Sequence, residues 1–131
     1  MHLVIDIGNT SAKIAVFSQG EMRYVVRCSN QSLEGLDELC QQYPIQKGIW
    51  ASVISISEEI QQQLQQLPFP MTEFTYQTPI PIRNLYQTPQ TLGVDRLAAV
   101  IAAYTQKPHH PALVIDAGTC ITYDFIDELG Q

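Results

Sequence analysis

The hexapeptide Leu3-Val4-Ile5-Asp6-Ile7-Gly8 recurs as Leu113-Val114-Ile115-Asp116-Ala117-Gly118, with a single difference at the fifth position. Hydroxyl and amide side chains follow each copy: Asn9, Thr10 and Ser11 after the first, Thr119 and Thr122 after the second. In both, an apolar strand delivers a carboxylate to its end, where water and ligand can reach it. Glycine two residues on lets the backbone approach a phosphate with no Cβ in the way. Turn amides and hydroxyls then donate to phosphate oxygens, and the carboxylate holds a cation between them. Two such turns facing each other would grip a polyphosphate from both sides. Asp-x-Gly is also an ordinary turn signal, but two copies behind the same apolar tripeptide favour the phosphate reading. Lys13, three residues after Thr10, suits either a phosphate or solvent.

A second dense cluster is Asn84-x-Tyr86-x-x-Pro89-x-x-Leu92-Gly93-Val94-Asp95-Arg96. Gly93 permits a tight entry into a helix whose first turn holds Asp95 and Arg96. The helix dipole favours an acid there by about 0.3–1 kcal/mol, so Asp95 has an ordinary structural explanation. Arg96 gains nothing from that field, and its place implies an anion, carboxylate or phosphate. In a phosphotransferase, Asp95 would accept the proton of the attacking hydroxyl, a role contributing roughly 10²–10⁴-fold. With a loose phosphoryl transition state, orienting that hydroxyl can outweigh removing its proton early.

The elements that must position these groups follow from periodicity. Residues 2–8, 12–18 and 22–28 read as three strands joined by tight turns, an antiparallel meander. Residues 32–43 carry Leu33, Leu36, Leu39 and Cys40 at helical spacing and stop at Pro44. Residues 48–54 return to strand. Ser55-x-x-Glu58 reads as a capping box opening a helix through Leu67, and residues 71–76 as a short strand. Residues 77–90, with Pro79, Pro81 and Pro89, make a long loop of the kind that is usually functional. A helix over 94–105 follows, then a Pro/His-rich connector at 107–111 and strands at 112–117 and 120–126. The two motif copies lie too far apart for a solenoid period, which implies a duplicated lobe: 1–108 as the first, 109–131 as the start of the second.

Bulk properties narrow the function. With 45% hydrophobic and 15% charged residues among 131, the composition is that of a folded globular domain. Thirteen acidic residues against seven basic give a net charge of −6, and no basic stripe is present, so nucleic acid is not an expected partner. No apolar run approaches the ~20 residues of a membrane span. The chain runs from Met1 straight into a strand, so no signal peptide is expected. Cys28, Cys40 and Cys120 are odd in number and form no C-x-x-C pair, which fits reduced thiols in the cytoplasm rather than disulfides or a zinc site.

Asp6-x-Gly8-Asn9-Thr10-x-x-Lys13, the 86–96 cluster and Asp116-Ala117-Gly118-Thr119-x-x-Thr122 resemble, in order and spacing, the motifs of type III pantothenate kinases. The resemblance runs the length of the chain. It implies an α/β chain with the ribonuclease H-like, actin-like ATPase fold of the acetate and sugar kinase, heat-shock and actin group, usually a homodimer. It also implies phosphorylation of the 4′-hydroxyl of pantothenate by ATP, the first step of coenzyme A biosynthesis. Carried over, Asp6, Ile7, Gly8, Asn9, Thr10, Ser11, Ala12 and Lys13 would form the first phosphate loop, with Asp6 near a magnesium ion. Tyr86, Gly93, Val94, Asp95 and Arg96 would contact pantothenate, Arg96 through its carboxylate, and Asp95 would be the base. Asp116 would hold a monovalent cation, K⁺ or NH₄⁺, and Thr119 would contact ATP. Cys120 departs from the alanine the family often has there. Little of a second lobe is present by residue 131, so the expectation is a piece of a longer enzyme, inactive alone. A non-catalytic regulator on the same fold would need both Asp-x-Gly turns but not Tyr86, Asp95 and Arg96. A kinase for another small alcohol would share every loop.

Overall fold

In the computed structural model, which describes residues 1–131, alternation of apolar and polar positions builds the first layer. Strands β1 (His2–Ile7), β2 (Ala12–Ser18) and β3 (Glu21–Cys28) form the expected antiparallel meander. Register sets Leu3 opposite Val16, Ile5 opposite Ile14 and Ile7 opposite Ala12, and all six are buried on one face. On the other side of β1, β4 (Lys47–Ser52) pairs parallel to it, and β5 (Met71–Glu73) pairs parallel to β4. The result is a mixed sheet in the order β3-β2-β1-β4-β5.

Two helices cover the buried face. From α1 (Leu36–Gln42) come Leu36 and Leu39, and from α2 (Glu58–Gln65) come Ile60 and Leu64; with Leu33 they complete one core. Each fully buried aliphatic side chain of this kind contributes about 1.5–3 kcal/mol. Two sequence expectations change here. The helix expected over 32–43 begins only at Leu36, because Gly35 sits at φ 82°, a left-handed conformation that cannot continue a right-handed helix. The second helix is capped by Ser57, not Ser55. Ser57 Oγ accepts the Ile60 N–H at 3.2 Å and donates its own proton to the Gln31 carbonyl at 2.8 Å. That long-range partner fixes the cap, and no capping box forms at Ser55.

The chain forms two compact units, Met1–Phe74 and Thr75–Gln131. In the second, α3 (Val94–Gln106) packs on a two-stranded antiparallel sheet of β6 (Ala112–Ala117) and β7 (Ile121–Ile126). Leu97 and Ile126 are its buried apolar side chains. Leu113, Ile115, Ile121, Tyr123 and Phe125 share the other face of that hairpin and are exposed. The prolines of residues 77–90 keep that segment out of regular structure, apart from a single 3-10 turn at Pro89–Thr91. The second motif copy, Leu113 to Gly118, lies in the second unit, on β6 and the turn that follows it.

Candidate active site

Asp6 lies on the sheet face opposite the core, directly across from Lys13, and Lys13 lies across from Arg27. Opposed residues on one face sit about 4.5–5.5 Å apart at Cβ. A carboxylate and two cations therefore form a row beside the β1–β2 turn. Sequence spacing singled out Asp6 and Lys13. Arg27 was missed, because only the β2–β3 register brings it into the row.

Residues Gly8 to Ser11 make the turn, closed by the Gly8 N–H donating to the Ser11 carbonyl at 3.0 Å. A Cβ on Gly8 would stand 3.1 Å from that same oxygen, so closure of the turn itself favours glycine. Asn30, beyond β3, donates its side-chain amide to the Gly8 carbonyl at 3.0 Å and the Asn9 carbonyl at 2.9 Å. Asn9 and Thr10 are exposed. Ile7 and Ala12 are fully buried in the core, so any phosphate contact from them is a backbone contact.

The second copy is built alike but one residue tighter. Asp116 stands across from Thr122, and the Gly118 N–H donates to the Cys120 carbonyl at 3.0 Å. Thr122 thus takes the place that Lys13 has in the first copy. A Cβ on Gly118 would meet nothing nearer than 3.9 Å, so the chain does not itself demand glycine, and the space over the turn is open to a ligand. Asp116 and Thr119 are exposed. Asp6 belongs to the first compact unit and Asp116 to the second. No group of three or more His, Cys, Asp or Glu is gathered to hold a metal. Magnesium is commonly held by one or two carboxylates plus substrate phosphates, and the Asp6 carboxylate beside the Gly8–Ser11 turn fits that mode.

At the start of α3, a Cβ on Gly93 would overlap Asp95 Oδ1. Glycine makes room for the Asp95 carboxylate to fold back and accept the Arg96 N–H at 2.8 Å, while the side chain stays exposed. Val94, half-buried, is the first helical residue. Arg96 already has an anion. Its Nε and Nη2 donate to the two carboxylate oxygens of Asp124 at 2.9 and 2.6 Å, and its guanidinium carbon lies 6.0 Å from the Tyr86 ring centroid. The hydrogen bond to Asp124 pushes the Arg96 pKa up, against the opposing pull of burial. Asn84 Oδ1 accepts the Tyr86 N–H at 2.9 Å, a local turn that sets Tyr86 in place. Arg83, Tyr86, Leu92, Arg96, Tyr123 and Asp124 help line a cleft of about 430 Å³, a size typical of small-molecule sites. Asp95 is not among the residues lining that cleft. Asp124 and Arg83 were missed in the sequence, although the two-residue alternation from Thr122 marks Asp124 as a neighbour on the same strand face.

The family model for type III pantothenate kinase matches residues 2–131. The chain is similar to a type III pantothenate kinase of Phocaeicola vulgatus, 58% identical over 130 residues, covering 99% of this chain and 54% of the relative. It is 53% identical over 131 residues to one of Bacteroides fragilis, covering 100% of this chain and 54% of the relative. It is 32% identical over 129 residues to one of Porphyromonas gingivalis, covering 98% of this chain and 52% of the relative. The chain thus spans about half the length of the curated relatives it matches.

Proposed function

The chain belongs to the type III pantothenate kinase family, and we propose that it forms the N-terminal part of an ATP-dependent kinase acting on the 4′-hydroxyl of pantothenate. The observation that carries this reading is the family match over residues 2–131, which takes in both Asp-x-Gly turns and the Tyr86–Arg96 cluster. Phosphorylation of that hydroxyl is the first step of coenzyme A biosynthesis. The order β3-β2-β1-β4-β5, a meander on one side and parallel strands on the other, supports an actin-like first lobe over 1–108. The repeated motif at β6 supports a similar second lobe opening at 109–131.

In this reading Asp6 to Lys13 receive the phosphates of ATP, with Arg27 beside Lys13 adding charge. A magnesium ion near Asp6 supplies further neutralisation of the phosphate oxygens when bound. Thr119 contacts ATP, and the Asp116 carboxylate holds a monovalent cation, K⁺ or NH₄⁺. Arg96 reads the pantothenate carboxylate with the N–H donors that Asp124 does not take, and Tyr86 and Val94 flank it. Asp95, exposed at the head of α3, accepts the hydroxyl proton as the oxygen takes the γ-phosphoryl group and ADP leaves. The enzyme works as a cytoplasmic homodimer.

Calorimetry and ADP release on the whole enzyme test this. Asp95→Asn is expected to keep pantothenate binding while turnover falls roughly 10²–10⁴-fold. Turnover that survives the substitution would remove Asp95 as the base. A protein with no detectable pantothenate binding would sink the substrate assignment, and binding without turnover in the unsubstituted enzyme would favour a regulator.

A further inference from the structure

Three charged residues, Arg83, Arg96 and Asp124, line the cleft of about 430 Å³. Asp124 and Arg96 are joined by two hydrogen bonds, at 2.9 and 2.6 Å, and largely cancel one another. An anion that approaches Arg96 therefore also meets the Asp124 carboxylate, and the pair by itself offers it little net attraction. Arg83 differs. It is exposed and takes part in no ion pair, so its charge is the net charge of the cleft.

The backbone of Arg83 is held in place, its N–H donating to the Gly130 carbonyl at 2.7 Å. Gly130, at φ 78°, lies in the turn after β7, and a Cβ there would stand 3.1 Å from the Tyr104 ring of α3. The stem of Arg83 thus starts from a fixed point on the same frame that carries Arg96.

We infer that Arg83 is a specificity-determining residue of this cleft, supplying the unbalanced positive charge that selects a carboxylate-bearing alcohol over an uncharged one. Arg96, its planar fork fixed by Asp124, sets the orientation of the carboxylate, and Arg83 supplies the charge that offsets Asp124. The inference rests on the pantothenate reading proposed above and adds a residue that the sequence motifs did not mark. Because Arg83 is exposed, water and salt screen its field, and its effect lies at the low end for a charge-assisted hydrogen bond. It takes no part in phosphoryl transfer, so its loss weakens binding and spares the chemical step.

The test is steady-state kinetics of the whole enzyme with pantothenate and with pantothenol, in which a primary alcohol replaces the carboxylate. Arg83→Gln is expected to raise the pantothenate KM about tenfold with kcat unchanged, and to leave the pantothenol KM within about twofold of wild type. Arg83→Lys keeps the charge and is expected to stay within about threefold of wild type for both. A pantothenate KM unchanged in Arg83→Gln overturns the role of Arg83 and leaves the kinase reading standing. Equal losses for pantothenate and pantothenol overturn it as well, because they report lost packing and not lost charge. A wild-type enzyme that does not phosphorylate pantothenate overturns the substrate reading, and this inference with it.

Discussion

At Arg96 two anions compete for five N–H donors: Asp124 takes Nε and Nη2, and the proposed pantothenate carboxylate would use the remainder. The pair is partly shielded, with side chains 27% and 16% exposed, so it lies between a surface ion pair and a buried one. Asp124→Asn is accordingly expected to lower stability by about 1–2 kcal/mol, read by urea unfolding. Arg96→Lys should not substitute for the native residue, since a lysine cannot make the bidentate fork. A double-mutant cycle giving no coupling between positions 96 and 124 would show the pair to be incidental. The chemistry of Arg96 was legible in its unusual place at a helix start, but its first partner was not. Asp124 lies 28 residues away, and only the packing of α3 on β7 brings the two together.

Among the elements, the strands and the start of α3 were legible, and the starts of α1 and α2 were not. Alternation over β1 and β2 puts Leu3, Ile5 and Ile7 on one face with Ala12, Ile14 and Val16, so a period-2 reading suffices to find the buried face. Helix starts turn on single contacts. Ser55 and Ser57 are both serines ahead of acidic residues, and a local pattern chose the wrong one. Ser57→Ala should cost about 1 kcal/mol, the usual loss of an N-cap. Ser55→Ala, at an exposed position outside the helix, should stay within about 0.5 kcal/mol. Equal losses from the two substitutions, measured by thermal unfolding, would contradict the cap seen at Ser57.

At the scale of the molecule, the two compact units hold very unequal cores. The first buries side chains from two strands, two helices and the loop at Leu33, whereas Leu97 and Ile126 are the buried apolar side chains of the second. A two-stranded hairpin with one helix is marginal by itself. Amides of β6 and β7 are therefore expected to exchange with deuterium at least about 100-fold faster than those of β1 and β2, as regions with few buried contacts open more readily. Uniform protection across both units would show that the chain unfolds as one cooperative body.

The sequence by itself determined the two Asp-x-Gly turns, the meander that carries the first, the helix that carries Asp95 and Arg96, and the family to which they belong. Those features are encoded by neighbours in the chain: a strand's period of two, a helix's period of 3.6, a glycine two residues after a carboxylate. Tertiary structure alone decided that Arg27 joins Lys13 and Asp6, that Asn30 grips the first turn, and that Asp124 takes Arg96. Each of these contacts depends on register, loop closure or helix docking. No local pattern writes those down, because the residues that meet are far apart until the chain has folded.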